Sequence, residues 1–203
     1  METKIAKIIS YICHPLFVPT LVFIVLINLN IPGYPSLNTT TKFLVLSLMI
    51  SATVLLPVVL FSLFRRKGII RSFQMETREE RIYPYGTVAI IYYAAFTMFR
   101  YTGLQPLYSF YLLNITLLVL IVLIINIWWK ISVHMVALGG ATGVFIGLGY
   151  RLGLNLQSFI IPLILASGLT AYARLHLDAH KPAQVYIGYC LGLIPIILIY
   201  LMY

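Results

Sequence analysis

Three short clusters hold most of the side chains in this 203-residue chain that are equipped for chemistry. The first is Arg78-Glu79-Glu80-Arg81-Ile82-Tyr83-Pro84, the second Lys130-Ile131-Ser132-Val133-His134, and the third runs from Arg174 through His180 to Gln184. Each opens a hydrophobic segment. The N-terminus of a helix presents unsatisfied backbone N–H groups and a partial positive charge, and both favour an anion. Arg81 and Arg174, joined by Arg78 or Lys130, would complete a pocket for a phosphoryl group, which a guanidinium grips through two parallel hydrogen bonds. His134 and His180 are then positioned to supply a nucleophile and a proton donor. An ionisable group at membrane depth costs roughly 2.5 kcal/mol or more, so a concentration of them calls for a function.

The spacing of these residues resembles the signatures of the type 2 phosphatidic acid phosphatases, also called lipid phosphate phosphatases. That family carries Lys-x6-Arg-Pro, then Pro-Ser-Gly-His, then Ser-Arg-x5-His-x3-Asp. The third signature is matched best: Ala173-Arg174, five intervening residues, His180, and Gln184 at the position of the Asp. The second is half kept in Ile131-Ser132-Val133-His134. In the first, Arg81 and Pro84 stand for Arg-Pro with two residues inserted, and Gln74 occupies the place of the Lys. The resemblance covers about residues 74–192.

The resemblance implies a metal-independent phosphatase acting on a lipid phosphate or diphosphate, with no cofactor. It implies that His180 attacks phosphorus to form a phosphohistidine and that His134 protonates the leaving group. Arg81, Arg174 and Ser132 would hold phosphate oxygens, with Arg78 or Lys130 replacing the missing Lys. Gln184 takes the place of the carboxylate that orients the nucleophilic imidazole; residues four apart face each other on a helix, so Gln184 retains the ability to accept a hydrogen bond from His180. It brings no charge. Two other outcomes follow from the same residues: a non-catalytic lipid-phosphate binder or transporter that kept the anion pocket, and a phosphotransferase that passes the group to an acceptor other than water.

These clusters must be positioned by membrane helices. Hydrophobic residues make up 61% of the chain and charged residues only 9%, against about 25% charged in soluble domains. An ordinary soluble enzyme, a disordered chain and a disulfide scaffold are all excluded. The expected fold is all-α, a polytopic membrane helix bundle with six to seven transmembrane helices, forming a single integral membrane domain over residues 1–203. Since a span needs about 20 apolar residues, seven stretches qualify as candidates: 14–31, 42–64, 85–100, 107–128, 133–150, 155–173 and 182–203. The third is short, and the fifth is interrupted by glycines. Polar breaks at 30–35, 103–106 and 151–153 separate neighbouring stretches.

Lys and Arg number 14 against 5 Asp and Glu, a net charge of +9. Most of this charge flanks apolar segments, where anionic lipid head groups rather than nucleic acid are the expected partners. With the N-terminus in the cytoplasm and seven crossings, only Lys42, Arg100 and Arg151 fall outside, which satisfies the positive-inside rule. All three clusters then emerge on the cytoplasmic face of a bacterial inner membrane. The apolar run after Lys4 and Lys7 is too long for a cleavable signal peptide. Gly139, Gly143 and Gly147 form a ridge of small residues suited to close helix packing. Cys13 and Cys190 are expected to pack among apolar side chains, His14 to lie at the membrane interface, and His176 to be structural. The histidines and carboxylates lack the tight spacing of a metal site. Oligomeric state is not legible.

Overall fold

The computed structural model describes residues 2–31 and 35–202. Residues 32–34 of the break expected at 30–35 lie outside the described residues, as do 1 and 203. Among the described residues the chain is helical throughout: α1 (Glu2–Ile12), α2 (Val18–Leu26), α3 (Thr39–Ile50), α4 (Leu56–Arg66), α5 (Glu79–Arg100), α6 (Pro106–Trp128), α7 (Val133–Leu152), α8 (Gln157–His176) and α9 (Pro182–Met202). A π-helical turn, Ser51–Leu55, joins α3 and α4 into one 28-residue helix. Six helices are long and apolar enough to cross a membrane: Thr39–Arg66, α5, α6, α7, α8 and α9.

The first expected stretch, 14–31, differs from the other six. It carries only the nine-residue α2, half the length a helical span requires. The expected third span, 85–100, was short because its first turn is polar. The helix itself begins at Glu79 and runs 22 residues. Its opening carboxylates, Glu79 and Glu80, suit the positive end of the helix dipole. Pro84 consequently lies inside α5. Both cysteines are free thiols; Cys13 is half-buried, but Cys190 is exposed on α9 rather than packed in a core.

The chain forms two compact units. One contains residues 1–18 and 131–203, hence α1, α7, α8 and α9; the other contains residues 19–130. The phosphatase-like region at 74–192 is thus divided between them, with the first cluster and Lys130 in the second unit and the other site residues in the first.

In the first unit α7 is the central helix, two-thirds buried along its apolar window. It packs on both α8 and α9, while α1 packs on α8. The close approach of α7 and α9 depends on glycines from both. A Cβ at Gly139 would overlap the Tyr189 carbonyl oxygen, one at Gly143 would meet the Leu193 carbonyl oxygen at 2.8 Å, and one at Gly147 would meet Tyr200 Cβ at 2.5 Å. From the other side, a Cβ at Gly192 would overlap the Val136 carbonyl. The expected ridge is therefore matched by glycines of α9, and backbones meet where ordinary side chains would hold them apart.

In the second unit polar side chains pair within an apolar setting. Thr20 of α2 pairs its hydroxyl with Thr53 in the π-turn, and Asn28 accepts a hydrogen bond from Lys42 Nζ at 2.8 Å. These two contacts run α2 antiparallel to α3. Tyr111 of α6 donates to the Pro19 carbonyl at 2.9 Å.

Candidate functional site

Within the first unit, one end brings together the start of α7, the end of α8 and the start of α9. The turn between α8 and α9 sets the geometry. Asp178 adopts a left-handed conformation at φ 50°; its N–H bonds the Leu175 carbonyl at 3.0 Å, and the Ala179 N–H bonds the Arg174 carbonyl at 3.2 Å. Together these bonds make a Schellman motif, in which aspartate is one of the few residues able to replace glycine. Asp178 is exposed, so its identity is explained by the turn. The chain reverses within a few residues and delivers His180 to the start of α9.

His180 is buried, 5% exposed. Its Nδ1 lies 3.1 Å from Gln184 Oε1, and the same oxygen accepts the Lys181 backbone N–H at 3.0 Å. The second bond determines the first. A backbone N–H can only donate, so the atom facing it must be the amide oxygen; that oxygen can only accept, so His180 must carry its proton on Nδ1. The imidazole lone pair is then on Nε2. Lys181 precedes the first residue of α9, and Gln184 at the third helical position reaches back to it as in a capping box. One side chain therefore caps α9 and fixes the tautomer of His180.

Ser132 stands at the N-cap of α7. Its backbone N–H donates to the Gln184 carbonyl at 3.2 Å, tying the starts of α7 and α9 together. A serine at this position ordinarily caps the first turn with its hydroxyl. Here the hydroxyl makes no cap, is fully buried, and has no hydrogen-bond partner among the described residues. Leaving such a group unsatisfied costs about 1–3 kcal/mol.

His134, two residues on, is half-buried. Its Nε2 lies 3.2 Å from the Ser10 carbonyl oxygen of α1. A carbonyl only accepts, so Nε2 carries the proton and Nδ1 the lone pair. The His14 ring packs edge-on against His134, centroids 5.4 Å apart and planes at 80°. Nδ1 of His14 accepts the Leu16 N–H at 3.3 Å. Burial, and to a lesser degree the Arg174 guanidinium, push His14 down to about 4, so it is neutral at neutral pH. Arg174, His14 and His180 all act electrostatically on His134. Arg174 itself is half-buried in the last turn of α8, where the helix dipole favours a cation.

Ser132, His134, Arg174, His180 and Gln184 thus belong to one unit. Arg78, Arg81 and Lys130 belong to the other. There the Arg78 guanidinium donates to the Trp128 carbonyl at 2.6 Å, capping the end of α6, while Asn126 Nδ2 donates to the Arg78 carbonyl at 2.8 Å. Arg81 is buried and its Nε donates to the Met75 carbonyl at 2.8 Å. The neighbouring Glu80 carboxylate, also buried, accepts the backbone N–H groups of Arg71 at 2.9 Å and Thr77 at 3.4 Å. Lys130 is half-buried in the connection after α6.

His14, expected at the membrane interface, is a neighbour of His134, 120 positions away in the sequence. No periodicity or spacing links the two positions; the one available signal was that His14 is among only four histidines in the chain. His176 is exposed and stacks on Tyr172, centroids 5.6 Å apart. No family model matches the chain, and neither a curated protein nor a solved structure does.

Proposed function

We propose that this chain is a membrane-embedded lipid phosphate phosphatase that works through a phosphohistidine at His180. The observation that carries the reading is the Lys181–Gln184–His180 chain of hydrogen bonds, which leaves the imidazole lone pair on Nε2. In the proposed reaction Nε2 attacks phosphorus, the bond from phosphorus to the lipid oxygen breaks, and His134 protonates that oxygen. The Ser10 carbonyl holds the Nε2 proton of His134, so the proton in play is a second one, carried on Nδ1 only while His134 is an imidazolium beside the bound phosphoryl group. Water then attacks the phosphohistidine, returning a proton to His134 and releasing inorganic phosphate. Arg174 and the buried Ser132 hydroxyl supply hydrogen bonds to the phosphoryl oxygens, where charge builds in the transition state.

The setting supports a lipid substrate. The site lies at the ends of apolar helices, so a head group can reach it laterally while its chains stay in the bilayer. The excess of Lys and Arg on the side of the three clusters, counted for seven crossings, supports a cytoplasmic face of a bacterial inner membrane. Phosphatidic acid, phosphatidylglycerol phosphate and polyprenyl diphosphates all meet these demands.

One observation favours a second reading, a lipid-phosphate binder without turnover. An uncharged amide stabilises the imidazolium of His180 less than a carboxylate does. Replacing the orienting carboxylate of a Ser-His-Asp triad by an amide lowers turnover about 10⁴-fold. Phosphate release from a lipid-phosphate panel in EDTA, measured beside His180→Ala, separates the two. Release that survives EDTA and falls at least ~10³-fold in the variant is expected for a nucleophilic histidine. Silence across the panel, with lipid still bound through Arg174, replaces the phosphatase with the binder.

A further inference from the structure

The first 18 residues have no part in the resemblance to a phosphatase, yet they belong to the same unit as the site. From them come two groups that contact His134: the Ser10 carbonyl and the His14 ring. The carbonyl has an evident task, fixing which nitrogen of His134 carries the proton. His14 does not, since a phenylalanine or leucine would fill the same volume without the cost of burying an imidazole among cations.

The hydrogen bonds of His14 indicate what the imidazole is for. The Leu16 N–H occupies Nδ1, which places the ring proton on Nε2. Among the described residues Nε2 has no protein partner. A half-buried N–H donor is thus held beside His134 and within electrostatic reach of Arg174. At the same end of this unit is a second polar group without a protein partner, the fully buried Ser132 hydroxyl, two residues from His134. The Arg174 guanidinium supplies positive charge at this end of the unit, and an anion beside it is attracted.

We propose that His14 is a phosphate-binding residue of this site, its Nε2–H donating to an oxygen of the phosphoryl group that Arg174 grips. This rests on the phosphate-site reading above and extends it to a segment outside the signatures. The ligand class is a phosphate monoester or diphosphate, carried by a lipid or free. A donor that stays neutral at neutral pH adds a hydrogen bond without adding a second positive charge beside Arg174.

Two substitutions isolate the donor. His14→Asn keeps an oxygen where Nδ1 accepts the Leu16 N–H but has nothing at the position of Nε2. His14→Gln restores an N–H donor near that position. The full-length chain in detergent is titrated with inorganic phosphate, and separately with phosphatidic acid in mixed micelles, beside Arg174→Gln. The expected result is affinity lowered about ten- to a hundredfold in His14→Asn for both ligands, the size of a hydrogen bond to a charged group, with most of it recovered in His14→Gln. Unchanged binding by His14→Asn while Arg174→Gln loses affinity overturns the assignment of His14 alone. Equal losses in the Asn and Gln variants assign His14 a structural role instead, and a loss confined to the lipid places it against the acyl or glycerol portion; either overturns the proposal. Binding that is insensitive to Arg174→Gln, or absent in the parent chain, removes the phosphate-site reading and this inference with it.

Discussion

The two units place similar residues in different situations. In residues 71–81 the charged groups are occupied with building a loop: the Glu80 carboxylate gathers two backbone N–H groups, Arg81 reaches the Met75 carbonyl, and Arg78 caps α6. In the other unit, polar groups of residues 132–184 and of His14 are held from one side. The Ser132 backbone is bonded while its hydroxyl is not, and His134 and His14 each have one ring nitrogen engaged by backbone. Residue type alone does not separate the two regions, since each has arginine at a helix end. The distinction is whether the tertiary structure satisfies each polar group or fixes it by one atom and leaves another available.

Three experiments bear on this contrast, and the largest effect concerns the frame of the site. Gly192→Ala would drive a methyl group into the Val136 carbonyl and to within 2.6 Å of Gly140 N. Overpacking usually costs about 1–3 kcal/mol because side chains give way. Here both obstacles are backbone, so a loss above ~3 kcal/mol is expected, with α7 and α9 separating and the Ser132–Gln184 backbone bond lost. Gly168→Ala on α8 meets nothing within 4 Å and should stabilise the helix by about 0.4–1 kcal/mol. Thermal unfolding of both variants in detergent checks the pair. Equal stability would mean that α7 and α9 do not pack as closely as described, and the site geometry built on them would fall.

A matched pair of swaps then probes the two regions directly. Glu80→Gln leaves one acceptor oxygen for two backbone donors, and should lower stability by about 1–2 kcal/mol with phosphate release per folded molecule unchanged. Gln184→Glu does the reverse. Glutamate also serves the third position of a capping box, so stability should hold, while a carboxylate beside the imidazolium of His180 should raise turnover about tenfold, roughly 1.4 kcal/mol of barrier. If Glu80→Gln reduces turnover or Gln184→Glu reduces only stability, the division into a structural and a chemical region is wrong.

What the sequence made legible follows the range of the interactions involved. The His180–Gln184 pair was readable because both sit on one helical face, four residues apart. The glycine ridge was readable as a period along α7, but its partner glycines on α9 were not, since nothing local says which helix will meet it. The start of α5 at Glu79 escaped a hydropathy reading because its first turn is polar. The bonds of Glu80 and Arg81 depend on a loop folding back over its own helix. His14 is the extreme case: an aromatic contact across 120 residues leaves no trace in spacing.

The smallest effect is a pH dependence carried by the same histidine. Its ordinary value of 6.5 falls to about 4 in the folded chain, through burial first and Arg174 second. Between these two values the unfolded chain takes up a proton that the folded chain refuses. Stability therefore declines as pH drops from about 6.5 towards 4 and is constant, as far as His14 is concerned, above that range. Other groups titrate in the same window, so the informative quantity is the difference between parent and His14→Phe, which keeps a ring against His134 but cannot be protonated. The fall in melting temperature between pH 7.5 and pH 5 should be smaller in the variant. Saturating inorganic phosphate should reduce the fall in the parent, because a bound anion favours the protonated ring and offsets the guanidinium. An equal fall in both chains, with or without phosphate, would mean that His14 is solvated and that Arg174 does not act on it, and His14 would then belong with the satisfied groups of the other region.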